Sequence, residues 1–177
     1  MHPALASLKS SCDRLGITPT ETCLCVSIAD QRLVQFCEET QVASFPISTS
    51  KRPPSNRENS FGTPLGLHCI SEKIGDGVPM GGVFQSRIYT HKHYETYPTK
   101  EPDQLLITTR ILRLKGLEPG KNADGTCDSY QRYIYIHGTN REHAIGTPQS
   151  HGCILLKNRD MLTLYAAVSE QSLLWIE

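Results

Sequence analysis

Two short motifs carry the residues that could do chemistry: His137-Gly138-Thr139 and, ending sixteen positions after that histidine, Ser150-His151-Gly152-Cys153. A cysteine paired with a histidine supports nucleophilic acyl transfer. Only the thiolate attacks a carbonyl, and a free cysteine with a pKa of about 8.5 is mostly protonated near neutrality. An adjacent imidazole lifts that limit by taking the thiol proton and later protonating a departing amine, so that the acyl group passes through a covalent thioester. Gly152, without a Cβ, lets the backbone turn tightly beside the sulfur, where the N–H groups of Gly152 and Cys153 can hold a developing oxyanion.

Strands must bring the two together. Residues 131 to 136, Gln-Arg-Tyr-Ile-Tyr-Ile, predict a β-strand that delivers His137 to its end, and Cys153 starts the apolar run Cys-Ile-Leu-Leu of a second strand. A cysteine and a histidine at loose spacing are more often unrelated core residues, so the proposal depends on these strand ends being neighbours.

The remaining pattern is that of a mainly β domain. Leu5, Leu8, Cys12 and Leu15 recur at helical spacing between Pro3 and Gly16, predicting a short amphipathic helix over 3–15 in an N-terminal extension, residues 1–22. Three strands follow as a meander: 23–28, 33–37 and 42–47. Further strands are predicted at 65–73, 105–114 and 173–176, with a helix capped by Asn158 in between that presents Met161, Leu164, Tyr165 and Val168 on one face. Residues 51–64, 75–82 and 91–102 read as loops able to wall a cleft. No repeat or linker divides the chain, so residues 1–177 are read as one domain, mainly antiparallel β with a few short helices.

Composition narrows the function classes. The chain has 177 residues, 38% hydrophobic and 20% charged, ordinary for a globular protein. Eighteen basic and eighteen acidic side chains cancel, leaving no net electrostatic footprint for nucleic acid or an acidic membrane. The longest apolar run is Leu164 to Val168, too short to span a bilayer. The first twenty residues lack the apolar core of a secretory signal, and seven cysteines, an odd number, fit reduced thiols better than a disulfide framework. The expectation is a cytoplasmic protein, or a periplasmic one if a signal has been removed. Cys23-x-Cys25 and His91-x-His93 lack the spacing of a structural zinc site, and Gly75-x-Gly77 lacks a nucleotide-binding context. No metal or organic cofactor is expected.

The whole arrangement, H-G-T, a polar Gly/Pro-bearing stretch, S-H-G-C and an apolar run, resembles the YkuD family of L,D-transpeptidases. The resemblance extends over roughly residues 23–177, through Val26-Ser27, Gln31-Arg32-Leu33, Phe45-Pro46-Ile47-Ser48-Thr49-Ser50 and Gly62-Thr63-Pro64-Leu65-Gly66. It implies a β-sandwich in which Cys153 matches the nucleophile, His137 the base, His151 a second histidine near the reacting carbonyl, and Gly138 the residue whose carbonyl orients the base. Many members carry Arg or Asn two places after the cysteine; this chain has Leu155.

The implied substrate is a peptidoglycan stem peptide or soluble muropeptide, cut at the L,D bond between meso-diaminopimelate and D-alanine. Ser150, Thr139, Arg110 and Tyr133 are the candidate substrate contacts, Arg110, with Arg113 on the same strand, because a guanidinium meets a carboxylate bidentately. Residues 140–149 read as a flap or a solvated loop. The expected cytoplasmic location favours hydrolysis, an L,D-carboxypeptidase, over crosslinking by transpeptidation, and a rival from another class is an inactive peptidoglycan-peptide binding module.

Overall fold

The computed structural model describes residues 2–177. The N-terminal helix α1 (Pro3–Leu15) begins with proline in its first turn and ends at Gly16 in the left-handed conformation. Next come the meander strands β1 (Thr22–Ser27), β2 (Arg32–Cys37) and β3 (Thr40–Pro46), then β4 (Gly66–Ile74), β5 (Gly82–Gln85), β6 (Ile88–His93) and β7 (Ile107–Gly116). The chain closes with β8 (Tyr135–Thr139), β9 (Ile154–Leu156), α2 (Asn158–Ala167) and β10 (Leu173–Ile176).

All ten strands belong to one hydrogen-bonded network in the order β3-β2-β1-β10-β4-β7-β5-β6, with β8 on β7 and β9 on β8. Pairing is antiparallel except for β1 with β10 and β8 with β9. Ser48, just past β3, exchanges two backbone hydrogen bonds with Leu155 of β9, at 3.0 and 2.8 Å, so the network folds back on itself. The main core lies inside that fold, where Leu24, Leu33, Ile70, Leu112, Ile136 and Ile154 meet Met161 and Leu164 of α2.

Strand β1 is apolar on both faces for a reason. Leu24 and Val26 face the main core, while Cys23 and Cys25 pack with Leu5, Leu8 and Cys12 of α1 in a second cluster. The amphipathic helix thus covers an outer sheet face that would otherwise expose apolar surface.

Three local readings differ from the sequence pattern. Residues 131–133 are not strand: Asp128 Oδ1 accepts the N–H groups of Tyr130 and Gln131, the chain turns, and Tyr133 sits at φ 55°, so β8 starts at Tyr135 and His137 lies at its centre. The aspartate side chain mimics a turn carbonyl and overrides the apolar alternation. Strands β5 and β6 form a hairpin over residues that the sequence left unassigned at 83–90 and read as loop at either end, and Ser86 and Arg87 turn it with the positive φ values (48° and 69°) that asparagine and glycine normally announce. Asn158 is the first residue of α2, with Lys157 at the cap position, and its side chain points inward.

There Asn158 Oδ1 accepts the hydroxyls of Thr108 and Thr109 at 2.6 and 2.5 Å, and Nδ2 donates to the Thr139 carbonyl at 2.9 Å. Both threonines are fully buried, and Thr109, at φ 69°, sits in the bulge of β7 opposite β8. Asn158→Ala takes the acceptor from two buried hydroxyls, of which Thr109 keeps only the Gly81 N–H, and the amide donor from a buried carbonyl, so it should cost about 3 kcal/mol. Urea titration should show a lower midpoint with an unchanged slope.

Candidate active site

The site is built on the parallel ladder between β8 and β9, in which Ile136 pairs with Ile154 and His137 with Leu155. Paired residues of a parallel ladder project to one face, and side chains alternate along each strand, so Tyr135, His137, Cys153 and Leu155 share the face opposite the main core. From strand rise and spacing, the Cα atoms of Cys153 and His137 lie ~8 Å apart, within reach of their side chains.

His137 is buried. Its Nδ1 lies 2.7 Å from the carbonyl oxygen of Gly138, which can only accept; Nδ1 therefore carries the proton and Nε2 keeps its lone pair. Burial pulls the imidazole down to about 4, against a small upward pull from that carbonyl. Gly138 is required sterically, since a Cβ there would sit 2.6 Å from Asn158 Oδ1 and 2.8 Å from the Thr108 carbonyl oxygen.

Cys153 packs against the cluster of Phe84, Ile111 and Tyr135. Burial pushes its thiol up to about 11, and a backbone hydrogen bond from Tyr135 and the Arg132 charge pull the other way. The thiol donates to the Tyr133 carbonyl at 3.6 Å. Among the described residues no hydrogen bond joins sulfur and imidazole, so the resting pair is neutral thiol and neutral imidazole.

The preceding turn is tied by Ser150, whose hydroxyl donates to the Cys153 carbonyl at 2.6 Å and accepts the Gly152 N–H at 3.2 Å. Gly152 takes φ 127°, a conformation that strains any residue with a Cβ. With its N–H committed to Ser150, Gly152 is not the free oxyanion donor that the sequence implied. The Cys153 N–H has no partner among the described residues. His151 is exposed, with Phe61 edge-on at 6.0 Å, and borders three adjoining lobes of about 420, 720 and 530 Å³, whose linings among the described residues include neither Cys153 nor His137.

Residues 21–176 match the family model of the L,D-transpeptidase catalytic domain, YkuD. The chain belongs to this family. Similar solved structures include an L,D-transpeptidase from Mycobacterium smegmatis (18% identity, TM-score 0.53, covering 89% of this chain and 58% of that one). Others are L,D-transpeptidase 3 from Mycobacterium tuberculosis with a faropenem-derived adduct (17%, TM-score 0.56, 89% and 60%) and an Enterococcus faecium L,D-transpeptidase (14%, TM-score 0.55, 90% and 50%). The chain therefore spans between half and three-fifths of the length of these three structures. At such identities they show a shared fold. No curated protein matches the chain.

On this L,D-transpeptidase fold the remaining sequence candidates separate. Tyr133 is half exposed, borders the 420 Å³ lobe and supplies the carbonyl that holds the thiol. Thr139 is fully buried, its hydroxyl accepting the Arg141 N–H, and Ser150 is buried within its own turn, so neither is open to a ligand. Arg110 is spent on the carbonyls of Val78 and Thr109 and lies over the Tyr165 ring; it borders none of the three lobes. Cys23 and Cys25 are core, and no group of three or more metal donors exists among the described residues.

Sequence reasoning missed Arg132, whose guanidinium donates to the carbonyls of Ser55 (3.0 Å) and Gly62 (2.6 Å) and so pins the 51–64 loop beside the nucleophile. It also missed Arg87 at the hairpin turn. Neither carries a motif; each is brought in by a turn.

His137 is joined by a second buried histidine, His68, also pulled down to about 4 by burial and bonded to the Gly66 carbonyl (2.9 Å) and the Ser129 hydroxyl (2.8 Å). Unfolded histidine titrates near 6.5. The unfolded chain therefore binds more protons between these values, and each histidine's contribution is complete above about pH 6.5 and lost as pH falls toward 4. The loss amounts to roughly 3 kcal/mol per histidine. Urea unfolding at steps from pH 7.5 to 4 should show this decline, and His68→Gln or His137→Gln should each remove one proton from its slope.

Proposed function

We propose that the protein is a cysteine acyl-transferring peptidase acting on the L,D bond between meso-diaminopimelate and D-alanine of a peptidoglycan tetrapeptide stem. The observation that carries this reading is the shared face of β8 and β9, where a buried imidazole with a free Nε2 stands one strand from a half-buried thiol. In the proposed reaction the thiol leaves the Tyr133 carbonyl, Cys153 Sγ bonds to the scissile carbonyl carbon, and its proton passes to His137 Nε2. A neutral pair with pKa values of about 11 and 4 requires the proton to move with the attack rather than before it. The oxyanion is met by the Cys153 N–H. The imidazolium then protonates the amine of D-alanine as the C–N bond breaks, leaving a thioester on Cys153.

Water attack on that thioester gives an L,D-carboxypeptidase. The lobe beside His151 bordered by Lys51 and Arg52 supports this outcome, because like charge discourages a cationic amine acceptor. Attack by a second stem's amine gives an L,D-transpeptidase; the acceptor's ammonium group would meet Glu101 and Asp103 in a lobe where Lys51 and Arg141 balance their charge.

Incubation with a disaccharide tetrapeptide separates the outcomes by mass: tripeptide for hydrolysis, crosslinked dimer for transfer. A β-lactam tests the nucleophile, since similar L,D-transpeptidase structures include an imipenem complex and a faropenem-derived adduct. The wild type should gain the β-lactam's mass and Cys153→Ala should not. Absence of any adduct and any turnover would point instead to a binding module. His137→Ala should lower kcat/KM by about 10²- to 10⁴-fold while still unfolding cooperatively. Wild-type turnover in that variant would remove His137 from the role of base.

A further inference from the structure

The short segment that holds the sulfur also gathers positive charge. Tyr133 accepts the thiol proton through its carbonyl, and the guanidinium carbons of Arg87 and Arg113 stand 5.2 and 5.1 Å from its ring centroid. Arg87, from the β5–β6 turn, is half-buried and uses one nitrogen, donating to the Tyr135 hydroxyl at 3.2 Å. Its other donors make no hydrogen bond among the described residues.

Arg113 comes from β7 and is 7% exposed. It stacks on Tyr130 at 3.4 Å, donates through Nη1 to Glu72 at 3.1 Å and through Nη2 to the Tyr130 carbonyl at 3.0 Å, and leaves its buried Nε without a partner. Among the described residues Glu72 is the one carboxylate bonded here, and it also accepts the Tyr130 hydroxyl at 2.6 Å. Two guanidiniums near one carboxylate, which bonds Arg113 and not Arg87, leave an excess positive charge and unused N–H donors beside Tyr133, whose carbonyl holds the thiol.

We infer that Arg87, backed by Arg113, forms a carboxylate-recognition subsite for the acyl donor. This rests on the stem-peptide reading above and adds a specificity determinant to it. A planar guanidinium with two free nitrogens matches a carboxylate, and the aromatic faces of Tyr130 and Tyr133 hold the cations in place. The donor offers two such groups near the scissile bond: the side-chain carboxylate of its third residue and the terminal carboxylate of D-alanine.

The test compares kcat and KM on three tetrapeptides: both carboxylates free, the third-residue side chain amidated, and the terminus amidated. Wild type should lose roughly 10- to 100-fold in kcat/KM on one amidation, the size of one charge-assisted hydrogen bond, and which amide does so identifies the group held. Arg87→Ala should lose a similar factor on the free peptide and respond to that amidation by less than about threefold. Arg87→Lys, which keeps charge but not the fork, should recover part of the preference. Equal rates on all three peptides by wild type, or full discrimination retained by Arg87→Ala, would overturn the subsite while leaving the acyl-transfer reading standing. Failure of wild type to turn over any of the three, with no β-lactam adduct, would instead overturn the reading on which the subsite rests.

Discussion

Three residue pairs of a parallel ladder, Ile136 with Ile154, His137 with Leu155 and Gly138 with Leu156, set the geometry on which the site depends. The period of a strand is two, so a slip of one residue would send His137 into the main core and expose Ile136. Packing forbids the slip: Ile136, Ile154 and Leu156 are fully buried, and each contributes about 2 kcal/mol through burial. The same apolar contacts that stabilise the sandwich therefore hold the imidazole and the sulfur to one face. Leu155 extends this logic. Its backbone closes the network through Ser48, while its side chain, fully buried, takes a place on the His137 face where many family members carry a polar group.

Burial has an opposite effect on the two reactive groups, and both effects favour the uncharged form. A neutral imidazole buried with one nitrogen bound to a carbonyl is a base of fixed tautomer and orientation, and a neutral thiol is a poor nucleophile until its proton leaves. The Arg132 charge and the Tyr135 N–H both favour the thiolate, so the protein opposes desolvation locally without cancelling it. A substrate carbonyl entering such a site meets a pair whose charges appear only as the reaction proceeds, when the surrounding dipoles are already oriented.

The fold was legible where residue periodicity met burial on one or both faces: α1, the β1–β3 meander, β4, β7, α2 and β10 all follow apolar spacing and end near turn residues. It was illegible where a side chain or an unusual φ decided the backbone. Asp128 ended a run that alternates like a strand, and Ser86-Arg87 turned a hairpin without glycine or asparagine. That the runs carrying His137 and Cys153 are neighbours could be read from their apolar pattern, although His137 lies at the centre of β8 and not at its end. The arginines could not, because Arg87 and Arg132 reach the site from turns whose partners, Tyr135 and the carbonyls of Ser55 and Gly62, are distant in sequence. Arg110 is the converse case: its strand was identified, but the positive φ of neighbouring Thr109 and the bulge there turn its guanidinium to Val78 and away from the cleft.

Arg132 shows how a single side chain couples the cleft wall to the nucleophile. Its two nitrogens hold carbonyls on both limbs of the 51–64 loop, and Gly62 is confined there because a Cβ would sit 2.4 Å from the Pro53 carbonyl oxygen. Phe61, carried by the same loop, places its ring against His151, and its carbonyl accepts the Ser50 hydroxyl. Removing the guanidinium would therefore release the loop that lines all three lobes and also withdraw the positive charge near the sulfur. Burial pulls the Arg132 pKa down, yet arginine starts high enough to stay charged. A lysine, with one point charge, could hold one carbonyl or the other, so the fork is what joins loop position to thiol chemistry.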